Sequence, residues 1–248
     1  MFDYTEHYQA VFFASCGSVP PSPQVIGKLL QAFSDKTLVP MTTQQVSLIP
    51  GQAPVVGLQL QLATPDMAWL VAFEPARVVI QRSNVPKTCM CTTVDFVREA
   101  TDIAQRLCGV VDVRANRLGF NTRGLMPEES VPQLQARCPR VLRLVPFYSE
   151  NVPCEWNTRT VGRERCEVGG QSETLNVIAD INRTQGSITH AKGTSDFDRI
   201  QIGFDINTHQ GNTLARFALA DLGGFLETAS ALAQKLATQI EGLLNGVP

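Results

Sequence analysis

The sequence lacks the short motifs that mark phosphate-binding or nucleophilic sites. It contains no G-x-x-x-x-G-K-[ST] loop, no G-x-G-x-x-G after a predicted strand and no G-x-S-x-G turn. These absences argue against the common nucleotide-binding and hydrolase classes, and they predict that the protein has no cofactor. Because a catalytic triad is defined by geometry rather than by spacing, an enzyme with a dispersed site stays an open alternative.

Histidine is scarce and the cysteines are irregularly spaced. The 248 residues include three histidines and seven cysteines. Cys89 and Cys91, the closest cysteine pair, lack the spacer of about two to four residues that is typical of zinc sites. An odd number of cysteines without an export signal is typical of reduced thiols. We therefore expect no metal site.

The chain also has no long apolar run and no strong charge of one sign. No segment approaches the roughly 18 apolar residues that a membrane helix needs, and the N-terminus lacks the basic start of a signal peptide. We expect a cytoplasmic protein that does not enter the membrane. The formal net charge of -2 gives no global attraction to nucleic acid.

The C-terminal end carries the clearest pattern in the chain. Apolar residues alternate with polar ones over 200–206, which predicts a half-buried strand. From 221 to 245 they recur at three- and four-residue steps, which predicts a long helix with one apolar face. A strand followed by such a helix indicates a helix that lies across an antiparallel sheet.

Earlier segments predict the same kinds of element. Strands are expected at 10–16, 58–62, 68–74, 77–82, 110–120, 141–147, 175–181 and 216–219, and helices at 25–33 and 93–107. Thr92 followed by Asp95 predicts a capping box for the second of these helices. Residues 120–140 and 149–172 are expected to form long loops.

These elements predict an α+β fold made of two β-meander-plus-helix units. The units cover 1–125 and 126–248, and they share one antiparallel sheet crossed by helices or pack side by side, or form a single continuous domain. Asp180-Ile-Asn182 is echoed by Asp205-Ile-Asn207, which together with the repeated order of elements suggests an internal duplication.

Three segments also carry a family resemblance: 77–82, 95–100, and 205–207 with 221–226. They resemble a sporadically distributed and uncharacterised family of bacterial proteins of similar length. The resemblance implies a bacterial cytoplasmic protein from an accessory or mobile gene neighbourhood. It supplies no catalytic residues that could be transferred to this chain.

The leading functional prediction is a non-catalytic protein-binding or assembly subunit of a bacterial complex, of the defence or toxin-neutralising kind. It follows from the missing catalytic motifs and from the two long predicted loops. The partner is expected to be another protein or a second copy of the chain. The protein itself is expected not to be an enzyme. The predicted partner-binding residues are Trp156, Arg123, Arg137, Arg140, Arg159 and Arg163.

Three alternatives stay open. One is a small apolar ligand bound between the sheet and the C-terminal helix. Another is an enzyme with a dispersed site, whose first suspects are Asp196, Asp198, His190 and Cys89, with Cys16 and His209 as a second combination. The third, less favoured because of the acidic balance, is nucleic-acid binding through Arg114, Arg117, Arg123, Arg137, Arg140 and Arg143.

Overall fold

The strands of this protein form one antiparallel sheet. The computed structural model describes residues 2–16, 19–47, 55–84, 91–142, 144–190 and 193–246, and within them nine strands pair in the order β2-β3-β4-β5-β1-β6-β9-β8-β7. The strands are β1 (Tyr4–Phe13), β2 (Val39–Ser47), β3 (Val55–Ala63), β4 (Trp69–Glu74), β5 (Arg77–Ser83), β6 (Arg117–Leu125), β7 (Trp156–Val168), β8 (Gln171–His190) and β9 (Gly193–Thr208). The helices are α1 (Pro23–Ala32), α2 (Thr93–Cys108), α3 (Val131–Val141), α4 (Pro146–Glu150) and α5 (Leu222–Asn245).

The order of elements is repeated along the chain. In each part a first strand leads through helical segments to an antiparallel meander and then to a long helix: β1-α1-β2-β3-β4-β5-α2, then β6-α3-α4-β7-β8-β9-α5. The two first strands, β1 and β6, pair with each other at the centre of the sheet. This arrangement confirms the predicted α+β fold with two meander-plus-helix units. The division into two domains at residue 125 and the internal duplication stay predictions.

The helices begin and end at residues that the sequence marks. Thr92 Oγ1 accepts a hydrogen bond from the Asp95 backbone N–H at 3.1 Å, and the Asp95 carboxylate accepts one from the Thr92 backbone N–H. The predicted capping box is therefore present. The long helix α5 ends at Gly246, whose φ of 73° lies in the left-handed region that glycine adopts without strain.

The main core lies between the sheet and helices α1, α2, α3 and α5. Alternate residues of β1, such as Tyr8 and Phe12, point to this side, which we call the helix face of the sheet. Phe96 of α2 is fully buried and stacks against the rings of Tyr8 and Trp69, at centroid distances of 5.3 and 5.7 Å. Burying a phenylalanine or leucine contributes about 1.5–3 kcal/mol, so this layer holds α2 and α5 onto the sheet.

The other side of the sheet, which we call the open face, is not covered by these four helices. Polar side chains pair across its strands. His7 contacts Asn121 Oδ1 at 3.0 Å, and Gln9 donates to Gln81 at 2.9 Å. This face is not polar throughout, because Val11, Ala72 and Val79 form a small buried apolar cluster on it.

Several sequence predictions differ from the structure. The strand expected at 141–147 is wrong: α3 ends at Val141 and α4 begins at Pro146, since proline favours the first turn of a helix. The loops expected at 120–140 and 149–172 contain α3 and β7, and the strand expected at 216–219 is only a bridge between Ala115 and Phe217. The strand expected at 110–120 begins only at Arg117.

No helix in the part of the chain that the structure describes is both long and apolar enough to cross a membrane.

Candidate ligand-binding cavity

A cavity of about 360 Å³ lies between the helix face of the sheet, the start of α2 and the middle of α5. Its volume is within the range of about 300–1,000 Å³ in which proteins hold small molecules. Its lining residues are Phe2, Thr5, Tyr8, Thr92, Thr93, Val94, Thr122, Phe204, Ser230, Ala233, Gln234 and Ala237.

Small side chains on α5 leave this space open. Ser230, Ala233, Gln234 and Ala237 lie at positions i, i+3, i+4 and i+7, so they share one side of the helix. In its first two turns α5 instead carries the bulky, buried Leu226 on this side, four residues before Ser230. The change from large to small side chains along one stripe is the sequence signal that could have located the cavity.

The opposite wall is aromatic. The rings of Phe2 and Phe204 lie with their centroids 6.4 Å apart, and the buried ring of Tyr8 adds a third apolar surface. Gly124 makes room for Phe2, because a Cβ atom at this position would lie 2.6 Å from Phe2 Cγ. A glycine in β6 thus allows Phe2 to form part of the wall.

Hydroxyl groups give the cavity a polar side. Thr93 Oγ1 donates to the Tyr8 hydroxyl oxygen at 3.1 Å, which leaves the Tyr8 O–H group able to donate. Thr122 Oγ1 donates to the His7 carbonyl at 3.1 Å, so its oxygen can still accept a hydrogen bond. These two groups can orient a ligand that carries a hydroxyl or carbonyl group.

The first turn of α2 adds a favourable field at the same place. Thr93 and Val94, the first two residues of this 16-residue helix, line the cavity. Backbone N–H groups in the first turn of a helix have no partner inside the helix, and the helix dipole is positive there. An acceptor group on a ligand is therefore favoured beside Thr93.

Half of the predicted partner-binding residues have structural roles. Trp156 begins β7 and is buried, so it presents no surface to a partner. Arg137 donates to Glu129 and, at 2.6 Å, to the Leu244 carbonyl, and Arg140 donates to the same carbonyl. These two arginines hold the last turn of α5.

The other three predicted residues lie on strands. Arg159 on the edge strand β7 pairs with Asp180 at 2.8 Å, and Arg163 on the same strand is exposed. Arg123 on β6 is exposed above Gly203, its partner on β9. Their role in binding a partner stays a prediction.

Two suspects for a dispersed enzyme site, Asp196 and Asp198, line one pocket of about 700 Å³, where Asp196 accepts a hydrogen bond from Ser187 Oγ at 2.6 Å. No described contact joins them to Cys16 or His209. Asp198 forms a bidentate ion pair with the buried Arg183, and the hydrogen bonds from Arg183 hold the pKa of Asp198 below its ordinary value. Burial, with a smaller contribution from Glu74, raises the pKa of Cys16 to about 11, so this thiol stays protonated at neutral pH. His209 accepts from the Gly211 N–H.

Two further suspects, Cys89 and the side chain of His190, lie outside the described residues. Among the residues that are described, no group of three or more His, Cys, Asp or Glu is placed to hold a metal ion.

Comparison with known proteins does not assign this chain to a family. No protein-family profile matches the chain, and no curated protein matches it either. Among solved structures, the chain is similar to a rolling circle replication initiator protein from Geobacillus stearothermophilus, with 10% identity and a TM-score of 0.29 over 97% of this chain and 83% of that one. A TM-score this low transfers neither fold nor activity.

The comparison corrects one prediction. The comparisons give no support to the non-catalytic assembly subunit expected from the sequence, and this prediction is withdrawn: no family profile or curated protein matches the chain, and the replication initiator is too distant to assign a role. The resemblance to a sporadically distributed bacterial family stays a prediction.

Proposed function

We propose that this protein binds a small, largely apolar molecule with one hydrogen-bonding group in the cavity between the sheet and α5. The observation that carries the proposal is the cavity itself, with an aromatic wall on one side and the Tyr8 hydroxyl and the start of α2 on the other. Ligand pockets commonly combine an apolar lining with a few polar groups that fix the ligand's orientation.

The apolar part of the ligand would lie against Phe2 and Phe204, and its acceptor group would face Tyr8 and Thr93. The cavity holds no carboxylate or amine among its lining residues, so binding would rest on shape and on neutral hydrogen bonds. The cytoplasmic location and the expectation that the protein is not an enzyme belong to this proposal and stay predictions.

The test is to fill the cavity. Titration with 6-propionyl-2-dimethylaminonaphthalene, a neutral and largely apolar fluorophore with a carbonyl group as acceptor, reports binding by fluorescence. Ala237→Phe places a ring in the cavity and should weaken binding at least about tenfold, or about 1.4 kcal/mol. Tyr8→Phe removes only a hydroxyl group and should weaken it less, by about 1 kcal/mol.

Ala231→Phe is the matched control, because Ala231 lies on the exposed side of the same helix. This variant should bind the fluorophore as the parent protein does. If Ala237→Phe and Ala231→Phe bind equally well, the fluorophore lies elsewhere and the cavity is not the site.

A further inference from the structure

A second pocket lies on the open face, at the end of the sheet where β1 finishes and β6 begins. It has a volume of about 160 Å³ and is lined by Phe13, Asn116, Arg117, Gln210 and Asn212, and we call it the Arg117 pocket. Tyr8, which lines the larger cavity, points to the helix face, whereas Phe13, five residues on, points to the open face. The two sites are therefore separated by the sheet.

The guanidinium of Arg117 is held in place by stacking. Phe13 and Arg117 are directly opposed on β1 and β6, and the guanidinium carbon lies 3.8 Å from the centroid of the Phe13 ring. Stacking on an aromatic face fixes the plane of a guanidinium and leaves its N–H groups free to bind.

The charge of Arg117 is not neutralised by a close carboxylate. Its Nε is buried and has no hydrogen-bond partner, and among the described residues no carboxylate oxygen lies within 4.0 Å of its guanidinium nitrogens. Burial lowers the pKa of Arg117. The negative charge of Asp205 partly offsets this lowering, and the positive charge of Arg77 increases it. By contrast, the neighbouring Arg216 is paired with Glu173.

The loop after β9 brings amide groups to the same pocket. Arg216 fixes this loop by donating to the carbonyls of Asn212, at 3.0 Å, and Asn116. The Asn212 side-chain oxygen accepts from the Leu214 N–H at 3.2 Å, so its NH₂ group stays available as a donor. Gln210 from the same loop completes the lining.

We propose that the Arg117 pocket binds a small oxyanion, a phosphate or carboxylate group that is free or forms part of a larger ligand. A planar guanidinium with side-chain amides beside it matches the donor set by which proteins bind such groups. The volume of about 160 Å³ suits one anionic group rather than a whole cofactor. This binding is separate from the apolar ligand proposed for the larger cavity.

The test uses inorganic phosphate and sodium acetate, titrated separately at constant ionic strength. The readout is the NMR signal of the Arg117 Nε–H group, which has no partner in the structure. We expect this signal to move and to saturate. Movement with phosphate alone assigns a phosphate group to the ligand, and movement with both anions assigns an oxyanion of either kind. If neither anion moves the signal, the proposal is overturned.

Calorimetry of phosphate binding to three variants distinguishes loss of the site from a folding artefact. Arg117→Gln should weaken phosphate binding about tenfold or more. Asn212→Asp keeps the oxygen that accepts from Leu214 but replaces the donor with a negative charge, and should also weaken it about tenfold. Arg163→Gln removes an exposed positive charge on β7 and should leave binding within about twofold. An equal loss in Arg163→Gln would show non-specific screening and refute the site.

Discussion

Replacing Arg216 by methionine should destabilise the protein strongly. Arg216 and Glu173 are both buried, with 7% and 8% of their side chains exposed, and Arg216 donates to the two Glu173 oxygens at 2.5 and 2.9 Å. It also donates to the carbonyls of Asn116, Asn212 and Leu214. Arg216→Met leaves a buried carboxylate without a counter-ion, for which the loss of stability is about 3–5 kcal/mol. A domain is typically stable by about 5–15 kcal/mol, so much of the protein's stability would be lost.

Urea denaturation followed by circular dichroism measures this loss. The double variant Arg216→Met, Glu173→Met should recover most of it, because replacing both partners by apolar side chains removes the uncompensated charge. Arg163→Met, on the exposed edge strand β7, is the control and should change stability by less than about 0.5 kcal/mol. A loss below about 1 kcal/mol in Arg216→Met would refute the reasoning, since it would mean that the Glu173 carboxylate becomes hydrated without its partner.

Two further predictions concern the ion pair on β8–β9 and the wall of the cavity. The hydrogen bond from Arg183 holds the pKa of Asp198 below its ordinary value of 3.8, so this carboxylate stabilises the fold above pH 3.8 and loses that effect as the pH falls through the lower folded-state value. Thermal unfolding of Asp198→Asn should therefore show a lower Tm than the parent at neutral pH, and the difference in Tm should narrow as the pH falls below 3.8, whereas a constant difference would exclude this linkage. Gly124→Ala should displace the Phe2 ring and weaken fluorophore binding by about 1 kcal/mol, or about fivefold. Gly162→Ala, whose added Cβ would approach nothing closer than 3.9 Å, should bind normally, and equal binding by both variants would contradict the role of Phe2.

The elements that could be predicted from the sequence are those that bury one side. Strand β9 and helix α5 have clear apolar periods because each lies against the core, and the capping box at Thr92 is a local hydrogen-bonding pattern that needs no tertiary contact. Strand β7 was missed because most of its residues are exposed on an edge of the sheet, so no apolar alternation marks it. Helix α3 was missed because its two prolines resemble loop residues in the sequence.

The candidate sites can also be predicted only in part from the sequence. From the sequence, a ligand bound between the sheet and the C-terminal helix is one of several alternatives. The lining of the cavity depends on which small residues of α5 face Tyr8, and this needs the packed structure. Arg117 appears in the sequence only as one of several arginines. Its stacking on Phe13 depends on strand register, which a sequence with no clear turn between the two strands does not specify.

The central position of β1 and β6 has a consequence for how the chain folds during synthesis. The residues paired across them are far apart in sequence, as His7 and Arg123 are, so this pairing closes a long loop and should be a slow step. Until β6 (Arg117–Leu125) has left the ribosome, the edge of β1 that later pairs with it has no neighbouring strand. The apolar residues Val11 and Phe13 lie on this unpaired strand. The N-terminal unit is therefore most prone to aggregation during translation of the segment between α2 and β6.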